Sequence, residues 1–250
     1  MKRIALFALA LALVMAFVAC ERQDEAEVTT ITVGTDATWP PMEFVNEDKE
    51  LVGYDIDLMN AIADAAGFEV EFQNTAWDGI FAGLGTGEYD AVISSVTITE
   101  DRQQTMDFSE PYINAGQVLI VQQSTTGVET LEDLVGERVG AQIGTTGAFE
   151  VGNVDGVELA TYDELGLAIE DLTNGRIAGV VADTPIAADY VLQNDEYSDA
   201  LKIVGEPFTE EFYGIAVEKG NDKVLALINE GLAKVKEEGI PAQLEDKWLR

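Results

Sequence analysis

Residues 53–72 read Gly53-Tyr54-Asp55-Ile56-Asp57-Leu58-Met59-Asn60-Ala61-Ile62-Ala63-Asp64-Ala65-Ala66-Gly67-Phe68-Glu69-Val70-Glu71-Phe72, and their period changes partway along. Up to Ala66, the residues Ile56, Met59, Ile62 and Ala63 recur at helical spacing, which gives a helix one apolar face. From Phe68 to Phe72 apolar and acidic residues alternate, the period of a half-buried strand. A helix that runs straight into a strand is half of a βα repeat, and the alternation extends in both directions. Residues 31–34 form a short β run, 77–84 a helix, 90–94 a buried strand ending in Ser-Ser, and 99–105 a helix with Thr99 as N-cap and Arg102 at N3.

The pattern then restarts. Strands are expected at 117–121, 138–142, 157–160, 177–182 and 212–217, with helices opening at Thr146 and spanning 162–173 and 185–193. Residues 222–236 form an amphipathic helix with Val224, Ile228, Leu232 and Val235 on one stripe. Alternating units of this kind predict an α/β fold of mostly parallel sheets with helices on both faces. Two runs and a returning segment predict two lobes, residues 30–113 with 209–250 and residues 114–208. The crossings near 114–117 and 206–210 would form a hinge with a cleft between the lobes.

Composition narrows the function. The 250 residues carry 14 Lys+Arg against 47 Asp+Glu, a formal charge of −33, with no His and one Cys. Such acidity excludes a nucleic-acid binder, which needs a basic face. The missing His and solitary Cys exclude a His-triad hydrolase, a zinc site rich in His or Cys, and a disulfide framework. No cofactor or metal is implied, since the acids are scattered and do not follow a calcium-loop pattern.

The N-terminus points to export. Met1-Lys2-Arg3 is a positive segment ahead of an apolar run from Ile4 to Ala19, which reads as a signal peptide over residues 1–19. The run ends in Phe17-Val18-Ala19-Cys20, and the chain then turns polar. Cys20 in this setting resembles the lipidation cysteine of bacterial lipoproteins, with Phe17 where that pattern has Leu, and residues 20–29 read as a lipidated tether. Removing residues 1–19 takes Lys2 and Arg3 and no acid, which moves the formal charge from −33 to −35. Acid excess with so few lysines resembles the proteins of salt-loving microbes.

The motif Gly53-Tyr54-Asp55-Ile56-Asp57-Leu58, with Ile62, Ala63 and Ala66, resembles the signature of bacterial extracellular solute-binding proteins of family 3, which take polar amino acids. Further segments agree in order: Gly34-Thr35-Asp36 to Pro41-Met42-Glu43-Phe44, Ser94-Ser95-Val96-Thr97-Ile98-Thr99-Glu100-Asp101-Arg102, Phe108-Ser109-Glu110-Pro111-Tyr112, Gly144-Thr145-Thr146, Ala182-Asp183-Thr184-Pro185 and Tyr213-Gly214-Ile215-Ala216. The resemblance covers about residues 30–248. It implies a periplasmic-binding-protein fold of type II and a substrate-binding lipoprotein of an ATP-driven importer. Such a protein, a monomer on the outer face of the cell membrane, delivers an L-amino acid to a membrane permease.

Chemistry supports these positions. Arg102 is one of six arginines in the chain and offers a carboxylate two parallel charge-assisted bonds. Thr97 adds a hydroxyl, and Thr145 and Thr146 stand where backbone N–H groups at a helix start favour an anion. Asp183 ends an apolar strand, where it meets an ammonium or caps the next helix. The resemblance places Asp36, Trp39, Trp77 and Gln142 around the ligand's side chain, with Trp39 and Trp77 as sandwiching aromatics or plain core. Ser94 and Ser95 supply a carbonyl and a hydroxyl, and the Gly53 motif is structural, its acids suiting a helix start. Asp36, Gln142 and two tryptophan faces favour a basic ligand over an amide one. The enzymatic alternative on this fold is a cyclohexadienyl or arogenate dehydratase, which needs a general acid or base. The expected cleft offers only Asp36 and Asp183, both with binding duties, and no third carboxylate.

Overall fold

The structure, a computed structural model, describes residues 29–250. The expected signal peptide, Cys20 and the tether up to residue 28 lie outside the described residues. Among the described residues no helix is long and apolar enough to cross a membrane.

The first run comprises β1 (Thr30–Thr35), β2 (Thr38–Trp39), β3 (Glu43–Val45), β4 (Leu51–Val52), α1 (Tyr54–Ala66), β5 (Glu69–Asn74), α2 (Ile80–Thr86), β6 (Ala91–Val92), α3 (Glu100–Thr105), β7 (Met106–Phe108) and β8 (Ile113–Asn114). The second comprises β9 (Gln117–Gln122), β10 (Arg138–Gln142), α4 (Thr146–Asn153), β11 (Glu158–Tyr162), α5 (Leu165–Thr173), β12 (Gly179–Asp183), α6 (Thr184–Ala188) and β13 (Leu201–Val204). The return adds β14 (Phe212–Tyr213), β15 (Ala216–Glu218), α7 (Asp222–Glu237) and α8 (Ile240–Trp248).

Two five-stranded sheets result, ordered β5-β1-β6-β15-β7 and β11-β10-β12-β9-β13. They are the cores of two lobes with a cleft between them. As expected the sheets are mostly parallel, four of the five strands in each pointing one way and one reversed. In the first sheet β1 runs parallel to β5 and β6, but β15 runs antiparallel to β6 and β7. In the second, β10 is parallel to β11 and β12, while β9 is antiparallel to β12 and β13. The reversed strand is, in each sheet, the first one laid down after a hinge crossing, so its direction is set by the crossing and not by a βα unit.

The crossings pair with each other. β8 and β14 form a two-stranded antiparallel ribbon, extended by Ala115 N–H to the Glu211 carbonyl at 2.8 Å and Phe208 N–H to the Gln117 carbonyl at 2.9 Å. The expected strand over 212–217 is therefore split, since Tyr213 pairs with Ile113 in the hinge and Ala216 with Val92 and Phe108 in the first sheet. Tyr162, expected to open a helix, instead ends β11 opposite Gln142. The helix expected over 185–193 is α-helical to Ala188 and a π-helical turn over Asp189–Gln193.

Helix α1 shows how the first lobe is anchored. Leu58, Met59 and Ile62 are fully buried, each contributing roughly 1.5–3 kcal/mol of hydrophobic stabilisation. Gly53 precedes the helix at φ 135°, and a Cβ there would lie 2.2 Å from the Met42 carbonyl oxygen. Only glycine permits this approach. In return Tyr54 N–H and Asp55 N–H bond to the carbonyls of Pro41 and Met42 at 3.1 and 2.9 Å, satisfying helix-start donors and fixing the loop that carries Glu43. Ile228, Leu232 and Val235 of the α7 stripe are buried, and Val224 is half-buried.

Candidate functional site

The cavity lies where the carboxyl ends of the parallel strands face each other, the usual ligand position in open α/β sheets. Asp36 follows β1, and Ser94 and Ser95 follow β6. Asp36 N–H donates to Ser94 Oγ at 2.9 Å, and Ser94 Oγ donates to Glu43 Oε1 at 2.9 Å. Ser95 Oγ reaches Glu43 Oε2 at 3.2 Å, while its N–H donates to Asp55 Oδ2 at 2.8 Å, an oxygen that also accepts from Tyr112 Oη at 2.9 Å. Thr38 Oγ1 donates to Asp36 Oδ1 at 2.9 Å.

These carboxyls are out of water, and burial raises them all. Asp36 lies above its usual range, and Asp55 is pushed up to about 7. Glu43 is raised well above the carboxylate range, by burial first and the neighbouring Asp55 next.

Arg102 is held by several neighbours. Thr99 caps α3 as expected, its Oγ1 accepting from Arg102 N–H at 3.1 Å. The guanidinium donates through Nη1 to the Thr97 carbonyl at 2.8 Å. Its central carbon sits 5.5 Å from the Trp77 ring centroid and 5.1 Å from that of Phe81. Burial lowers Arg102 to about 10, with Asp183 and Glu211 opposing the shift, so it is a cation at neutral pH. One face of Trp77 thus serves the protein's own arginine.

The second lobe supplies the opposite wall. Gln142 ends β10, and Thr145 caps α4 by accepting from Ala148 N–H at 3.2 Å. Asp183 ends β12 at the N-cap position of α6 but makes no side-chain cap bond, so its carboxylate is free for other work. Its Oδ1 accepts from Gln117 Nε2 at 2.9 Å. Burial, then the charge of Glu211, pushes Asp183 up to about 7.

The walls meet in three places. Gln142 Nε2 donates to Asp36 Oδ2 at 3.2 Å, Arg102 Nη2 to the Gly144 carbonyl at 3.3 Å, and the Thr97 and Thr146 hydroxyls lie 3.5 Å apart. Between them lies a cavity lined by Asp36, Trp39, Trp77, Ser94, Ser95, Thr97, Arg102, Gln142, Thr145, Thr146 and Asp183, together with Glu43. Every residue singled out from the sequence for the site thus faces one cavity. Both tryptophans are buried there, so cavity wall and core are not alternatives for them.

Glu43 is the residue the sequence reading missed as a site group, and it corrects the expectation that the cleft holds no third carboxylate. Its signal was a lone acid in the apolar run Trp39-Pro40-Pro41-Met42-Glu43-Phe44-Val45. Asp55 of the Gly53 motif does not line the cavity but supports Ser95 from behind. Arg138 and Arg176 lie on the surface, each paired with an acid, Glu158 at 3.1 Å and Asp171 at 2.6 Å. Arg102 is therefore the only cation among the cavity-lining residues.

Comparison with known proteins agrees with this architecture. The probable histidine-binding protein of Neisseria gonorrhoeae is 39% identical over 212 residues, covering 83% of this chain and 78% of the relative. The ABC transporter arginine-binding protein 1 of Escherichia coli K12 is 34% identical over 221 residues, covering 88% and 90%. An ancestral arginine-binding protein bound to arginine superposes with a TM-score of 0.84 at 43% identity, covering 88% of this chain and 98% of that one. An ancestral arginine-binding protein bound to glutamine gives 0.82 at 44% identity, covering 88% and 97%. These relatives are named as binding proteins, not enzymes. The profile of bacterial extracellular solute-binding proteins, family 3, matches residues 31–250, and the chain belongs to that family.

Proposed function

We propose that the chain is the capture component of an ATP-driven amino-acid importer and that its ligand is an L-amino acid with a cationic side chain. Arg102, with Thr97 and the backbone of Thr145 and Thr146, takes the α-carboxylate. Asp183 takes the α-ammonium. Asp36, Glu43, Gln142, Trp39 and Trp77 surround the side chain, with Ser94 and Ser95 holding the Glu43 carboxylate and Thr38 that of Asp36.

The observation that carries this reading is the charge of the cavity wall. One arginine faces three buried carboxylates, Asp36, Glu43 and Asp183. An α-carboxylate and an α-ammonium use up Arg102 and Asp183, leaving two acids for the rest of the ligand. Burial and the neighbouring Asp55 drive Glu43 toward its neutral form, so a single cationic side chain matches Asp36, whereas an amide leaves that charge uncompensated. The bound ligands of similar proteins, arginine and glutamine, span both classes. The dehydratase reading ranks second, because Glu43 gives the cleft the further acid that elimination requires. Its substrate prephenate carries two carboxylates, however, and would meet three acids with a single cation.

On the same reading, lobe 1 comprises residues 30–113 and 209–250 and lobe 2 residues 114–208. Cys20 carries a lipid anchor on the outer membrane face, and the protein works as a monomer. Mass spectrometry of the ligand released from protein purified without refolding should find arginine or lysine. Glutamine or glutamate would break the side-chain assignment, and turnover of added prephenate would move the chain to the enzymes. Fatty-acid labelling that persists in Cys20→Ser would remove the anchor.

A further inference from the structure

Beside the cavity, on the hinge, stands a carboxylate that none of the site motifs contains. Glu211 immediately precedes β14. Its Oε1 accepts from Thr209 Oγ1 at 2.8 Å, and Thr209 Oγ1 in turn accepts from Gln117 N–H at 2.8 Å on the other crossing. Its Oε2 accepts from Thr146 Oγ1 at 2.6 Å and lies 3.4 Å from Gln117 Nε2. The Gln117 amide, fully buried, also reaches Thr146 Oγ1 at 3.1 Å and Asp183 Oδ1 at 2.9 Å. Packing holds that amide in place, since a Cβ on Gly147 would come within 2.8 Å of Gln117 Oε1.

We propose that Glu211 is a positioning residue for the ligand's amino-acid end. It fixes Thr146 directly and Asp183 through Gln117, and so ties the lobe-2 half of the site to the bend of the hinge. This rests on the assignment of Asp183 to the ammonium, not on the class of the side chain. Thr146 gives its hydroxyl proton to Glu211 and accepts from Gln117, so the acceptor capacity left to it is one lone pair, which an ammonium in the cavity suits. The carboxylate is left to the Thr145 and Thr146 backbone and to Arg102. Glu211 also places a second negative charge near Asp183. The other groups beside Asp183 are Gln117, Tyr213 of β14 and, across the cleft, Arg102.

Calorimetric titration at several pH values tests this, with arginine as probe and glutamine in parallel. A parent chain that binds glutamine but not arginine breaks the side-chain reading alone, and the comparison then proceeds with glutamine. Glu211→Gln should weaken binding about tenfold at neutral pH. It should also move the acid limb of the binding profile to lower pH, because Asp183 stays ionised further down once a neighbouring charge is gone. Thr146→Val and Glu211→Gln should cost less together than the sum of the two single losses, since both disturb the Thr146–Glu211 bond. Thr209→Val loosens the carboxylate but keeps its charge, so it should weaken binding about threefold and leave the acid limb in place. Should Glu211→Gln fail to fold, Thr209→Val carries the test. Binding within twofold of the parent with an unmoved acid limb, additive losses in the double variant, or an unaffected Thr209→Val would each overturn the proposal.

Discussion

The two lobes share a sheet plan but contribute differently to the cleft. Both sheets place three parallel strands beside an antiparallel strand that arrives across the hinge. Yet of the cavity-lining residues, Asp36, Trp39, Glu43, Trp77, Ser94, Ser95, Thr97 and Arg102 come from the first lobe, and Gln142, Thr145, Thr146 and Asp183 from the second. The first wall is held mostly by bonds within its own lobe, with Arg102 clamped by the Thr97 carbonyl and two aromatic rings and reaching across to the Gly144 carbonyl. The second wall leans on the hinge through Gln117. A larger surface thus faces a smaller one that is braced against the hinge.

The sharpest way to break this contrast is to remove the group that defines the first wall. Arg102→Ala should cost about 2–5 kcal/mol of binding for every amino acid, which is roughly thirty- to several-thousand-fold in affinity. Calorimetry that finds normal binding would remove Arg102 from the site. Asp183→Asn, the matching change on the second wall, should weaken binding about ten- to hundredfold through its lost charge-assisted bonds. It should not lower the melting temperature at neutral pH, because it deletes a buried carboxyl that ionises there at a cost.

The pH dependence of the empty protein sharpens the comparison further. Asp55 and Asp183 have folded values near 7 against 3.8 for the free side chain, so between those values the folded state holds protons that the unfolded state has lost. That stabilisation is complete below about 4 and disappears as pH rises through 7, on the order of a few kcal/mol for each carboxyl. Melting temperature should therefore fall from pH 5 to pH 8, and a saturating cationic ligand, which favours ionised Asp183, should flatten the fall. A melting temperature that climbs over this range would contradict the burial of these groups. Salt should act more modestly and on both lobes. With a formal charge of −33, screening should raise the melting temperature by several degrees between dilute buffer and molar salt. A flat response would count against salt adaptation and leave the site untouched.

The fold was legible where period and burial coincide. The interval from Gly53 to Phe72 showed its helix and strand because each packs one face on the core, and Thr99 announced its cap because the cap is local. The antiparallel strands were not legible, since β9 and β15 take their direction from crossings that join residues about a hundred positions apart. Site residues at or just past the end of a parallel strand, such as Asp183 and Asp36, could be found by that place. Glu43 hid within a β run. Glu211 was invisible, because its importance comes from Thr146 and Gln117, which only the folded hinge brings to it.

The central claim, a cation held between buried acids, is tested most directly by calorimetric titration of the ligand-free protein with arginine, lysine, histidine, glutamine and glutamate at pH 8. Arginine or lysine should bind at least about tenfold more tightly than glutamine, the order of one uncompensated buried charge, and glutamate should show no binding. Glutamate or glutamine binding more tightly than both basic amino acids would contradict the account.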